Sequence, residues 1–305
     1  MSWQRKAGNK TPSRSLNPRK RELSATTYNF PLSGNPPIPN PNQINNRSTT
    51  PNYPQFRTLE ECWGFPVPSI DQLNNIPEAF GHYYDSKTLD SFRCVTHNIN
   101  NIPNNAFWPK SRLITKMAQG ADQADIRLWQ ETGIYWPKVD PFDRWKNRLR
   151  GFSQGVTSNF SFNQLEHEIT GVHQPGGTAI ISNYRLTSRE SNQGKDPTGL
   201  GRWSWMSFGD EGRIQTTFFS VYRPYVASSG GGTATYDQHL RHMIPSQEPR
   251  EQILKDLELE VKSFTDKGHN IIIGMDANED IYGSRIKRFM ETLKLHDAIS
   301  ALHGK

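Results

Sequence analysis

Short apolar runs separated by polar loops predict six strands and three helices between residues 92 and 295. The strand segments are rich in β-branched and aromatic residues and are bounded by Gly, Asp or Pro. The predicted strands cover residues 92–98, 125–132, 178–182, 203–208, 215–222 and 270–276, and the predicted helices cover 111–120, 247–267 and 284–295. Residues 210–213 predict a hairpin turn, and residues 190–201 predict a long polar loop.

The last predicted strand leads directly into a group of acidic and amide side chains. Its run Ile271-Ile272-Ile273 has no polar alternation, which predicts a strand covered on both faces. Asp276 and Asn278 follow two positions apart, so both leave the same face of an extended backbone. An oxygen-only pair suits a hard divalent cation such as Mg²⁺ better than Zn²⁺. The same pair also suits a polar turn after a strand, and taken alone it does not decide between the two.

The composition divides the chain into three segments. Residues 1–58 are rich in Pro, Asn, Ser and Thr and hold few large aliphatic side chains, so we predict that they are disordered. Residues 59–90 gain aromatic residues but also prolines, which predicts a partly ordered lead-in. Residues 91–305 carry the predicted strands and helices and form the folded domain.

The charge balance favours a polyanionic partner such as nucleic acid. The formal net charge is +6 and the sequence pI is about 9.2. Residues 135–150 interleave aromatic and basic side chains, a composition that suits stacking on bases and contact with phosphates. The same segment also suits an amphipathic helix whose aromatic residues lie in the core.

Several other classes of protein are disfavoured. The two cysteines, Cys62 and Cys94, are too few for a disulfide framework or a Cys-rich zinc site, and they fit a reducing compartment. No apolar run reaches the roughly 18 residues of a membrane span, and no apolar segment follows the N-terminus as a secretory signal would require. We therefore expect an intracellular protein, nuclear or cytoplasmic, that has no membrane partner.

Polar residues stand at the ends of four predicted strands, and the segments around them resemble one family. The segments are Thr96-His97-Asn98-Ile99-Asn100, Leu128-Trp129-Gln130-Glu131-Thr132, Gly176-Gly177-Thr178-Ala179-Ile180, Ser220-Val221-Tyr222-Arg223-Pro224 and Gly274-Met275-Asp276-Ala277-Asn278. They are similar, in order, to motifs of the endonuclease/exonuclease/phosphatase superfamily, which includes apurinic endonucleases, DNase-I-like nucleases, inositol phosphatases and retrotransposon endonucleases. The resemblance covers about residues 90–302, and the stretch 196–205 also looks like nuclease domains of retroelement-type proteins in microbial eukaryotes.

The resemblance implies both a fold and a chemistry. The fold is α/β, a DNase-I-like four-layer sandwich of two packed mixed β-sheets flanked by helices. The chemistry is phosphodiester hydrolysis with Mg²⁺, or with Mn²⁺ in its place, on nucleic acid, with DNA as the expected substrate. Phosphodiester hydrolysis builds negative charge on oxygens, which a divalent ion and hydrogen-bond donors offset.

The resemblance also assigns roles to individual residues. Glu131 would be the main metal ligand, and Asn98 would support the metal or hold a phosphate oxygen. Asp276 would orient or activate the attacking water, Asn278 would bind phosphate or metal, and Tyr222 would lie near the phosphate. The implied substrate-binding residues are Arg223, Asn100 and Arg202.

One part of the family pattern has no match here. The family ends with a further strand, an Asp and a Ser-Asp-His-type motif, whereas His296-Asp297 follows Asn278 by only 18 residues. We therefore expect a domain that lacks its last strands, as a C-terminal truncation would leave it, and a rate lowered by about 10²–10⁴-fold. Three functions stay open: a DNA endonuclease domain, a phosphatase of a phosphoinositide or small molecule, and a catalytically dead nucleic-acid-binding module. The sequence does not indicate the oligomeric state.

Overall fold

The protein is a sandwich of two mixed β-sheets. The computed structural model describes residues 25–31, 91–102, 110, 114, 124–139, 155–166, 169–210, 212–226 and 234–298. The predictions for residues 59–90, for helix 111–120 and for most of segment 135–150 fall almost wholly outside these residues. Within the described part, none of the helices is both long and apolar enough to cross a bilayer.

The first sheet has five strands in the order β1-β2-β3-β5-β4. The strands β2 and β3 run parallel, with Asn98 opposite Gln130, and the other pairs are antiparallel. The backbone of β1 pairs with β2, although it lies in the segment that we predicted to be disordered. The ranges are β1 (Ala25–Pro31), β2 (Ser91–Asn98), β3 (Ile126–Gln130), β4 (Val156–Ser161) and β5 (Thr178–Asn183).

The second sheet has four strands in the order β6-β7-β8-β9, with β8 and β9 parallel. The prediction of a polar loop over residues 190–201 is wrong for its first half, which forms the edge strand β6. This strand leaves most of its side chains exposed, so no apolar alternation marks it. The ranges are β6 (Glu190–Lys195), β7 (Trp203–Phe208), β8 (Thr216–Tyr222) and β9 (Asn270–Asp276).

The strand β9 differs in part from its prediction. Ile271 and Ile273 pack against the helical layer and Ile272 packs between the sheets, so both faces contact apolar residues as expected. All three are only half-buried, because β9 is the last strand of its sheet in the described part of the chain. Gly274 is the buried residue of β9, because the first sheet comes very close to the strand at this position. A Cβ added at Gly274 would lie 2.6 Å from Thr96 Oγ1 in the first sheet.

Three apolar clusters separate the layers. One lies between the sheets and includes Leu128, Ile180 and Phe218, and a second covers the outer face of the first sheet around Trp129. The third packs the second sheet against the helices α2 (Pro249–Thr265) and α3 (Ser284–Leu293), which follow α1 (Ala234–His242). The prediction of two packed mixed sheets with flanking helices is therefore confirmed.

Candidate active site

The carboxyl ends of the two parallel strand pairs, β2–β3 and β8–β9, meet at one edge of the sandwich. Asn98, at the end of β2, donates from Nδ2 to Asp276 Oδ2, at the end of β9, over 2.5 Å. Tyr222, at the end of β8, donates from its hydroxyl to Glu131 Oε1, one residue past β3, over 2.9 Å. Both hydrogen bonds cross from one sheet to the other. They bring together four of the residues that we predicted for the site.

A buried polar bridge directly behind this edge fixes the two sheets relative to each other. Gln130 Nε2 donates to Ser220 Oγ over 3.1 Å and lies 3.2 Å from the backbone oxygen of Gly274. Ser220 Oγ in turn donates to the backbone oxygen of Trp129 over 2.8 Å. Gln130 immediately precedes Glu131, so the bridge sets the point at which Glu131 leaves the first sheet.

The backbone at these strand ends is in the left-handed region, which residues other than glycine rarely adopt. The φ angle is 57° at Glu131, 47° at Asn278, 43° at Asn100 and 70° at Asn101. Asparagine tolerates this conformation better than most residues, whereas glutamate does not share that advantage. Such conformations cluster at functional sites, where the surrounding structure holds them in place.

Tyr222 is a neutral hydrogen-bond donor to the Glu131 carboxylate. Burial raises the pKa of Tyr222, and the charge and hydrogen bond of Glu131 and the charge of Asp276 raise it further, while a hydrogen bond with Thr235 acts the other way. The phenol therefore keeps its proton at neutral pH. Glu131 Oε2 is buried and has no hydrogen-bond partner among the residues that the structure describes. One oxygen of this carboxylate is thus held by the protein, and the other is left for a ligand.

Asp276 is held by amide donors on both of its carboxylate oxygens. Besides the bond from Asn98, its Oδ1 accepts from the backbone N–H of Asn278 over 3.2 Å. The side-chain amide of Asn278 donates to the backbone oxygen of Arg223 over 2.8 Å, so it is used within the loop. Asn100 is exposed, and its backbone N–H donates to Asn98 Oδ1 over 2.8 Å. Asn100 therefore lies beside the site with a side chain that is open to solvent.

The two predicted substrate-binding arginines have internal partners instead. Arg202 is 1% exposed, and it pairs with Asp196 and Asp256 over 2.7 Å each. Arg223 is 0% exposed, and its Nη1 pairs with Glu279 Oε2 over 2.6 Å. Neither guanidinium reaches the surface in this conformation, so the structure does not offer either one to a substrate as we predicted. Both hold segments of the fold together.

Two basic residues near the strand ends were missed in the sequence. The Lys110 ammonium donates to the backbone oxygen of Asn100. Burial lowers the pKa of Lys110, and the charge of Glu131 acts against this change. Arg250, in the first turn of α2, donates to the backbone oxygen of Asn278 over 3.0 Å. No motif marks either residue, and their basic charge was the only signal.

The donors at this edge fit a hard divalent cation. The carboxylates of Glu131 and Asp276 and the amide oxygen of Asn98 are the ligand types that Mg²⁺ prefers. The unpartnered Oε2 of Glu131 gives such an ion a place to bind. No cluster of three His, Cys, Asp or Glu side chains able to hold a metal occurs among the described residues. Few protein ligands are usual for Mg²⁺, which keeps several waters and binds substrate phosphates.

Comparison with solved structures identifies the fold. The chain is similar to the AP endonuclease LMAP from Leishmania major at 14% identity, over 81% of this chain and 78% of that chain, with a TM-score of 0.50. It also matches the catalytic domain of human Nocturnin at 15% identity over 63% and 66% of the two chains, with a TM-score of 0.43. An AP endonuclease from Archaeoglobus fulgidus matches at 16% identity over 66% and 64%, with a TM-score of 0.37. No family model and no curated protein matches the chain. The likeness to the Leishmania enzyme confirms the DNase-I-like fold.

Proposed function

We propose that this DNase-I-like domain is a Mg²⁺-dependent phosphodiesterase that cleaves DNA, as the endonuclease domain of a retroelement-type protein. The observation that carries the proposal is the meeting of Asn98, Glu131, Tyr222 and Asp276 through two hydrogen bonds between the sheets. The net charge of +6 supports a polyanionic substrate. The Leishmania neighbour is named as an AP endonuclease, which supports nucleic acid. The retroelement affiliation rests on the resemblance of residues 196–205.

Each residue at the strand ends has a part in this hydrolysis. Glu131 and Asp276 would hold the cation, which when bound offsets the negative charge that develops on the phosphate oxygens. Asp276 also accepts a proton from the attacking water. Tyr222 and Asn98 orient these carboxylates through the hydrogen bonds described above. The Lys110 ammonium adds a positive charge on the side of the site where Glu131 lies.

The test is nicking of supercoiled plasmid DNA by the purified full chain. We expect nicking with Mg²⁺, none with EDTA, and a loss of about 10²-fold or more in Glu131→Gln, which removes a charged ligand. Glu291→Gln is the matched control, because Glu291 lies on the exposed face of α3 and should be replaceable without effect.

Two other results would overturn the proposal. Phosphate release from an inositol phosphate without DNA cleavage would identify a phosphatase. DNA binding without cleavage, by protein shown to be folded, would identify a catalytically dead binding module.

A further inference from the structure

Three consecutive peptide carbonyls, at the end of β9 and directly after it, are bound by Arg223 and Arg250. The backbone oxygen of Asp276 accepts from the backbone N–H of Arg223 over 3.0 Å, which extends the pairing of β8 with β9. The backbone oxygen of Ala277 accepts from Arg223 Nη1 over 3.0 Å, and that of Asn278 accepts from Arg250 Nη2 over 3.0 Å. The loop that carries Asp276 and Asn278 is therefore fixed from two directions, by the end of β8 and by the first turn of α2.

Glu279 joins the two arginines into one unit. Its Oε2 accepts from Arg223 Nη1 over 2.6 Å and from Arg250 Nη2 over 3.1 Å. Arg223 Nε also donates to the backbone oxygen of Arg250 over 2.8 Å. Burial alone would raise the pKa of Glu279, but the hydrogen bond and charge of Arg223, the hydrogen bond of Arg250 and the charge of Arg285 together lower it. Glu279 thus stays ionised. We call Arg223, Arg250 and Glu279 the arginine clamp.

The clamp acts on the carboxylate of Asp276 through the loop backbone. The Asn278 N–H that donates to Asp276 Oδ1 belongs to the peptide segment that the clamp holds. The Ala277 carbonyl that accepts from Arg223 Nη1 belongs to the same peptide group as this N–H, so the clamp fixes the direction of the N–H. Asn278 itself is in the left-handed conformation, and the clamp bond to its own carbonyl opposes relaxation of that conformation. The side chain of Arg250 is only 11% exposed, so a polymeric substrate has little access to it.

We infer that Arg250 and Glu279 are positioning residues, which hold the Asp276 carboxylate toward Asn98 without touching the substrate. The expected effect on DNA cleavage rests on the proposed function. The expected effect on the rigidity of the loop does not rest on it, and the two effects can be measured separately.

Hydrogen exchange measures the structural consequence in the full chain. We expect amides in peptides that cover residues 275–280 to exchange about tenfold faster or more in Arg250→Gln, because a charge-assisted hydrogen bond to the loop is lost. Arg250→Lys should lie between this variant and the parent, because lysine keeps the charge but not the planar fork. Arg213→Gln is the matched control, because Arg213 is 65% exposed and, among the described residues, forms its ion pair with Asp210 three positions away.

Glu279→Gln supplies an independent variant if Arg250→Gln does not fold. It removes the carboxylate that both arginines share, and it should also speed exchange of the loop about tenfold. Parent-like exchange of this loop in folded Arg250→Lys and Glu279→Gln would overturn the inference.

Cleavage kinetics measure the catalytic consequence. In Arg250→Gln and in Glu279→Gln, displacement of the Asp276 carboxylate should lower kcat about 10²-fold and leave KM within about twofold of the parent value. A raised KM with unchanged kcat would overturn the inference, since it would make Arg250 a substrate-binding residue. If the parent chain cleaves no DNA, the proposed function fails, and the exchange measurement alone decides whether the clamp positions the loop.

Discussion

Removing the hydroxyl of Tyr222 tests whether this residue orients Glu131. The ring is 3% exposed and keeps its packing in Tyr222→Phe, but Glu131 Oε1 loses its donor at 2.9 Å. Oε2 has no partner among the described residues, so Tyr222→Phe leaves both carboxylate oxygens without the hydrogen bond that the described structure provides. A hydrogen bond to a charged group contributes about 1.5–3 kcal/mol. We expect the free energy of unfolding in EDTA to fall by about this amount.

The same substitution should weaken metal binding. Loss of a group that orients a metal ligand typically lowers metal affinity or activity about 10–100-fold. A calorimetric Mg²⁺ titration of the parent and of Tyr222→Phe would measure this directly. The matched control is Tyr236→Phe, because it removes the same hydroxyl from a hydrogen bond with another glutamate, Glu248, which is not among the residues that we assign to the site. A parent-like Mg²⁺ affinity in folded Tyr222→Phe would refute the orienting role.

Further predictions concern pH, charge burial and sheet packing. The pKa of Tyr222 is raised in the folded state, so the folded chain keeps this proton after the unfolded chain loses it at about pH 10. The stability that the hydroxyl contributes is therefore complete below about pH 10, and it is lost progressively as the pH rises from there toward the folded pKa. In urea titrations from pH 8 to about 11, the difference in free energy of unfolding between the parent and Tyr222→Phe should therefore become smaller. Arg202→Leu leaves the Asp196 carboxylate buried and unpaired, which should lower the free energy of unfolding by about 3–5 kcal/mol; a urea midpoint close to the parent value would contradict the structural role of Arg202. Gly274→Ala places a Cβ 2.6 Å from Thr96 Oγ1, and forcing the sheets apart should destabilise the protein by about 1–3 kcal/mol, whereas an unchanged melting temperature would show that the sheets accommodate the methyl group.

The strand-end residues could be predicted because each of them follows a short apolar run. Asn98, Tyr222 and Asp276 end strands, and Glu131 follows one directly. The contacts among them could not be predicted, because a sequence shows which residues end strands but not which strands face each other across two sheets. The pairing of Asn98 with Asp276 spans 178 positions of the chain. Only the packing of β2–β3 against β8–β9 creates it.

The helix α1 escaped prediction because the face that it buries is polar. Its buried residues are Thr235, Gln238 and His239, so no apolar stripe of helical period marks the segment. Burial lowers the pKa of His239 to about 4, with the charge of Arg202 acting in the same direction, so this histidine is neutral in the core. A polar residue that is buried and neutral is indistinguishable in the sequence from one on the surface.

The internal partners of Arg202 and Arg223 could not be predicted for a related reason. An arginine next to a strand suggests a surface cation, yet Arg202 and Arg223 each pair with a carboxylate that lies more than 50 positions away, Asp256 and Glu279 respectively. These partners become visible only when α2 and the loop after β9 are placed against β8.

The inward direction of these arginines bears on how the site would hold a cation. Asp276 and Glu131 both act on Tyr222, so two carboxylates share a small region, and the donors that hold them, Asn98 and Tyr222, are uncharged. The guanidinium groups of the clamp form ion pairs with Glu279 and donate hydrogen bonds to backbone oxygens. The charge of Lys110 acts on Glu131, while the two carboxylates, as like charges held close together, destabilise each other. Because the clamp guanidinium groups are engaged with Glu279 and with backbone oxygens, a divalent cation bound at the two carboxylates would offset their mutual repulsion.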